Sequence, residues 1–172
     1  MEKLSQKIQH LIKNKKGLKM NIICLDIDDC VLPTDVNYFG RTEDSLQILE
    51  INLKRLRMII EKYDFKVFIT SSWYILLSLK DGNLGLKTDR EDYMTLMGYG
   101  LMKKYIGKYI IGLSDGNRDD DIKLLKSHVN NKIVILDDWN LTKHNSNNCL
   151  FIEMNGFISG VVGFQIDNFM KK

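Results

Sequence analysis

The chain has 172 residues, 44% hydrophobic and 27% charged, with a formal net charge of +3. These proportions belong to a globular, core-forming protein of one domain, and no apolar run approaches the roughly 20 residues needed to span a bilayer. Much of the small positive excess lies in the first twenty residues, so overall charge gives no case for nucleic-acid binding.

Leu4, Ile8, Leu11 and Ile12 recur at helical spacing among lysines, so residues 1–19 read as a basic amphipathic N-terminal helix attached to a domain spanning 20–172. This segment interleaves charge throughout and lacks the apolar stretch of a secretory signal, so a cytoplasmic location is expected. Ile22-Ile23-Cys24-Leu25 is a short, continuously apolar run, the pattern of a strand buried on both faces of a parallel sheet. Leu46, Leu49, Leu53, Leu56 and Ile60 predict a long amphipathic helix from Glu43 to Tyr63. A second buried strand, Lys66 to Ile69, stops at Thr70-Ser71-Ser72, which completes a parallel crossover unit.

From Trp73 to Lys108 the pattern is mixed. Thr88 and Glu91 suggest a capping box, and Met94, Met97 and Leu101 a helical stripe interrupted by Gly98 and Gly100. Tyr109 to Leu113 then reads as a strand, Asp119 to Val129 as a helix with an acidic first turn, and Ile133 to Leu136 as a buried strand ending at Asp137-Asp138. Cys149 to Ile152 is a last strand, and Asp167 to Lys172 a short terminal helix. The expected fold is therefore α/β, a three-layer Rossmann-like sandwich with a mostly parallel central sheet. The stretch from Cys30 to Thr42 is too short for a cap domain, and so is the one after Thr70, unless Trp73 to Lys108 folds as a modest lid.

In such sheets ligands bind beyond the carboxyl ends of the strands. Asp26, Asp28, Asp137 and Asp138 would share that rim with Thr70 and Ser71. Crowded carboxylates are costly to keep ionised without a cation, and an all-oxygen set that leaves room for phosphate points to magnesium. A carboxylate there can also serve as a nucleophile. Cys24, Cys30 and Cys149 have no paired or CxxC spacing and read as buried reduced thiols, while His10, His128 and His144 read as surface or packing residues. Trp73, Tyr74 and Trp139 are either walls that stack on a base or sugar, or core.

The strand with Asp26-Ile27-Asp28, the strand ending in Thr70 and the strand ending in Asp137-Asp138 resemble motifs I, II and IV of the haloacid dehalogenase (HAD) superfamily of phosphatases. ITSSW, NRDDDIKLL and VILDDWN are also similar to the SSSWR, R-x-x-E-I and LDD segments of small HAD-like proteins. The resemblance runs from about Ile22 to the C-terminus. It implies Asp26 as nucleophile and magnesium ligand, and Asp28 as general acid then base and a ligand through its carbonyl. Asp137 would be the motif IV ligand with Asp138 in support. Thr70 and Ser71 would bind the phosphoryl group, joined by Arg118 as the best match to the basic third motif and with Lys123 as its competitor. Many members have Gly-Thr after the second aspartate, where this chain has Asp29-Cys30, and Arg where it has Tyr74.

The implied activity is a magnesium-dependent hydrolysis of a phosphomonoester, a small molecule such as a nucleotide or a phosphorylated nucleic-acid end, with no membrane partner. The alternative is a non-catalytic protein that binds phosphate or a partner at the same rim. Asp115 to Asp119 opens like an EF-hand loop but lacks its later Gly and Glu, and no P-loop segment occurs, which excludes those two classes.

Overall fold

The computed structural model describes residues 19–33, 43–87, 93–114 and 116–172. In chain order the elements are β1 (Asn21–Leu25), α1 (Glu43–Tyr63), β2 (Phe65–Ile69), β3 (Leu77–Lys80), β4 (Asn83–Leu86), α2 (Tyr93–Tyr105), β5 (Ile110–Leu113), α3 (Arg118–His128), β6 (Ile133–Asp137), β7 (Cys149–Glu153) and α4 (Gly160–Met170). Single 3-10 turns occupy Ser72–Ile75, Gly107–Tyr109 and Thr142–His144.

Five strands form one sheet in the order β5-β2-β1-β6-β7, and every neighbouring pair is parallel. Side chains alternate between two cores, as a pleated strand requires. Ile23, Leu25, Val67, Ile69, Val134 and Leu136 lie in the core beneath α1, α2 and α4; Ile22, Cys24, Phe68, Ile133 and Ile135 lie in the one beneath α3. Burial on both faces is why these strands read as continuous apolar runs. The architecture is the expected three-layer sandwich.

The helix α1 has the expected bounds, with Leu46, Leu49, Leu53, Leu56 and Ile60 buried, Glu43 and Asp44 in its first turn and Lys62 in its last. Charges so placed complement the helix dipole. Asn52 is also fully buried on this helix. Its amide donates to the Val31 carbonyl (2.7 Å) and the Gly156 carbonyl (2.9 Å), and its oxygen accepts from the Ile158 N–H (2.9 Å). One side chain thus ties the loop after β1 to the loop after β7.

The segment between β2 and β5 departs from expectation. It holds an antiparallel β3–β4 hairpin turning at Asp81 and Gly82, both with positive φ (50° and 79°), the arrangement Asp-Gly favours in a two-residue hairpin loop. Among the described side chains of α2, Thr95, Gly98 and Met102 are buried, whereas Met97 is exposed and Leu101 only half-buried; the expected Met94 lies outside them. Gly98 marks a close contact, not an interruption of the helix. This insertion packs against α1 and the β5 edge, and no residue of β3, β4 or α2 lines the cleft described below, so no large cap covers the rim among the described residues. The last helix begins at Gly160, earlier than expected. Gly160 and Gly163 weaken its local helical signal, but Val162, Ile166 and Phe169 bury one stripe. The segment expected to form the N-terminal helix falls on residues 1–18, and the Thr88 to Glu91 box on 88–92; both lie outside the described residues.

Candidate functional site

The sheet register sets a row of functional groups side by side. Leu25 pairs with Ile69 and with Leu136, and Ile69 with Leu113. The ladder continues one residue further through Asp26 N–H to the Leu136 carbonyl (2.9 Å), Thr70 N–H to the Leu25 carbonyl (2.9 Å) and Ser114 N–H to the Ile69 carbonyl (2.7 Å). Asp137, Asp26, Thr70 and Ser114 therefore stand in adjacent strands at one level of the carboxyl rim, all buried. Their strand predecessors face the α1 side, so by alternation these four face the α3 side.

From that side comes Arg118, the first residue of α3. Its Nη1 donates to Asp137 Oδ1 (2.5 Å), its Nη2 to Asp26 Oδ2 (3.2 Å) and its Nε to the Thr70 carbonyl (3.2 Å). The loop that delivers it is fixed locally. Ser114 Oγ donates to the buried Asp121 (2.5 Å) and accepts from the Gly116 N–H (3.1 Å), and the Asn117 side chain caps α3 by accepting from the Asp120 N–H (3.3 Å). Gly116 has φ +111°, a region that favours glycine, and a Cβ there would lie 2.7 Å from the Tyr74 hydroxyl, which would have to shift. Lys123 pairs instead with the exposed Asp120, and Lys126 donates to the His144 carbonyl. Neither reaches the carboxylates.

The carboxylates at this rim could hold a cation. Asp26, Asp137 and Asp138 can each offer an oxygen such that all three lie within 4.8 Å of one another. Burial pushes the Asp137 carboxyl up to about 7, against the opposing pull of the Trp139 N–H and Arg118. Burial also raises Asp26, opposed by Arg118, Ser71 and the Ile27 N–H, while a hydrogen bond shared with Asp138 raises it further. Carboxylates raised by burial and by one another are an arrangement that a divalent ion would relieve. Asp137 Oδ2 and Thr70 Oγ1 are both buried without a hydrogen-bond partner. Leaving such atoms unpaired costs about 1–3 kcal/mol each, so these two oxygens suit an ion and a ligand that complete them.

Asp28 is half-buried just past Asp26 and accepts from the Trp73 indole N–H at 3.0 Å. The chain reverses after it with Asp29 at φ +53°, a region that aspartate enters more readily than most residues. The position where the HAD resemblance expects glycine is thus one where the backbone calls for it. Ser71 lies beside Asp26 and also accepts from the Trp73 N–H.

Beside the carboxylates opens a cleft of about 520 Å³ lined by Thr70, Ser71, Arg118, Tyr74, Trp139 and Lys143 among others. The two tryptophans have opposite fates. Trp73 is 1% exposed and belongs to the core, whereas Trp139 is 67% exposed, with the Arg118 guanidinium 5.2 Å from its ring centroid. The three cysteines are buried free thiols that burial pushes up, Cys149 to about 11, so none is a nucleophile near neutral pH. His144 is buried against Asp119 at 3.0 Å, and His128 sits at the end of α3, so neither joins the rim.

Sequence reasoning missed Ser114, Asn117 and the Trp73 to Asp28 contact. Asn117 carried a signal, an Asn three residues before an acidic residue at the start of a helix, and so did Ser114, the first polar residue after an apolar strand run. No protein-family model matches the chain, and no curated protein or solved structure is detectably similar to it.

Proposed function

We propose that this chain is a magnesium-dependent phosphomonoester hydrolase that takes the phosphoryl group onto Asp26, as its resemblance to the HAD phosphatases implies. The observation that carries this reading is the convergence of Asp26, Asp137 and Asp138 on one point, with a buried Asp137 oxygen left unpaired and one arginine facing two of the three. The Arg118 pair with Asp137 engages Oδ1 and leaves Oδ2 for a ligand to complete.

Asp26, Asp137 and Asp138, with the Asp28 carbonyl, would hold magnesium, which supplies charge neutralisation for the phosphoryl oxygens. Asp26 attacks phosphorus, the bond to the leaving oxygen breaks, and Asp28 gives that oxygen a proton. Asp28 then takes a proton from water as it attacks the aspartyl-phosphate, returning the Asp26 carboxylate and releasing phosphate. Thr70 Oγ1 donates to a phosphoryl oxygen, and the Arg118 fork meets charge that spreads over the equatorial oxygens in the transition state.

The adjoining cleft receives the leaving group. Its size and its aromatic and amide lining, Tyr74, Trp139, Asn117 and Asn140, suit a nucleoside, and its open side admits a nucleic-acid end. Purified protein should hydrolyse members of a panel of nucleoside monophosphates, phosphosugars and phosphorylated oligonucleotides with magnesium. Activity should vanish in chelator and in a folded Asp26→Asn variant. Full activity in either would remove the proposal.

A further inference from the structure

The geometry points to Trp73 as the residue that positions Asp28 for proton transfer, with Gly98 of α2 as the seat that fixes the indole. This role rests on the hydrolase reading above. A general acid on a flexible carboxylate loses rate unless something fixes its rotamer. Asp28 belongs to the turn after β1, and the N–H of a buried indole donates to its Oδ1 at 3.0 Å. The ring cannot follow a wandering carboxylate, because it is 1% exposed and enclosed by the core beneath α1 and α2.

Its far edge rests on Gly98, where a Cβ would stand 3.1 Å from Cη2, closer than ordinary packing allows. Any side chain at position 98 would press the indole, on whose opposite edge sits the N–H that holds Asp28. The near end is fixed as well. The Trp73 N–H donates to Ser71 Oγ at 3.4 Å, and Ser71 in turn lies beside Asp26. The turn Ser72–Ile75 therefore lets one short segment address the nucleophile through Ser71 and the acid through Trp73. A buried indole N–H needs an acceptor, and the one this indole meets at 3.0 Å is a carboxylate of the rim.

Three variants test this. Trp73→Phe keeps most of the ring but removes the donor; Gly98→Ala keeps the donor and displaces it; Asp28→Ala removes the acceptor. The specificity constant kcat/KM reports the step in which the leaving group departs, so it is compared on an alkyl phosphate, which needs a proton, and on p-nitrophenyl phosphate, which does not. Trp73→Phe and Gly98→Ala should each lose about tenfold or more on the alkyl ester while staying within about threefold on the nitrophenyl ester. Independently of turnover, the Trp73 indole N–H resonance, told from that of Trp139 by a Trp139→Phe variant, should exchange slowly with solvent and move in Asp28→Ala.

Equal losses on both esters would overturn the positioning role in favour of general damage. No loss on either, or an indole resonance indifferent to Asp28→Ala, would also overturn it. A wild-type protein inert on both esters would overturn the hydrolase reading and this role with it, a result distinct from an active enzyme whose Trp73 variants show no leaving-group dependence.

Discussion

Arg118 faces two buried carboxylates and a backbone carbonyl at once, a task for which a planar fork with several donors is suited and an ammonium is not. The ordinary alternative for an arginine beside an acidic run, surface pairing with Asp119 to Asp121, is not what forms. Asp119 pairs with Lys143 and His144, Asp120 with Lys123, and Asp121 with Ser114. In catalysis Arg118 would meet the transferring phosphoryl group. Arg118→Ala should therefore cut the rate by more than about a hundredfold, the scale of losing one preorganised charge. Lys123→Ala should stay within a few-fold, because Lys123 is exposed and among the described residues pairs with Asp120. Parallel kinetics on the two variants check this, and a crippled Lys123→Ala beside a near-normal Arg118→Ala would reverse the assignment.

At the scale of elements, the turn after β1 is held by the helix that follows it. Asn52 bonds three backbone groups in two loops from the middle of α1. Asn52→Leu would keep the volume and leave those groups buried and unpaired, which should cost on the order of 3 kcal/mol, or roughly 6–12 °C in melting temperature for a chain of this size. Thermal unfolding measures it, and a loss below about 1 kcal/mol would mean that water or the loops themselves satisfy those groups. Nothing in the sequence announced Asn52, since one polar residue beside the apolar stripe of a helix reads as the edge of its solvent face. The same limit hid the inward face of α2. Met94, Met97 and Leu101 looked like its inward stripe, whereas Thr95, Gly98 and Met102 are buried among the described side chains, Gly98 against a tryptophan far away in sequence. The hairpin was more accessible, for Asp81-Gly82 is a turn signal with a known mechanism. By contrast α1 was legible almost to the residue, because five leucine and isoleucine positions repeat on one face without interruption.

For the whole molecule, the parallel sheet explains why so much of the candidate site could be read before any coordinates. Buried parallel strands announce themselves as apolar runs, and the first polar residue after each run must emerge at the same rim. Asp26, Thr70 and Asp137 are those residues, and the register aligns them laterally. Ser114 follows β5 in the same way, whereas Trp73 reaches the rim through its indole, over a distance that strand periodicity does not encode. The same architecture leaves the cleft open on the described side, since the β3–β4 insertion goes to the sheet edge.

The proposed chemistry would turn on one covalent event at Asp26. The direct measurement is to quench the enzyme with acid during turnover of a substrate it accepts, reduce any acyl phosphate with borohydride, and locate the modified residue by peptide mass spectrometry. The account predicts homoserine at position 26, dependent on magnesium and on substrate, and absent from the Asp26→Asn protein. Steady turnover with Asp26 unmodified, or with the phosphoryl group recovered on Ser71 or another side chain, would contradict it.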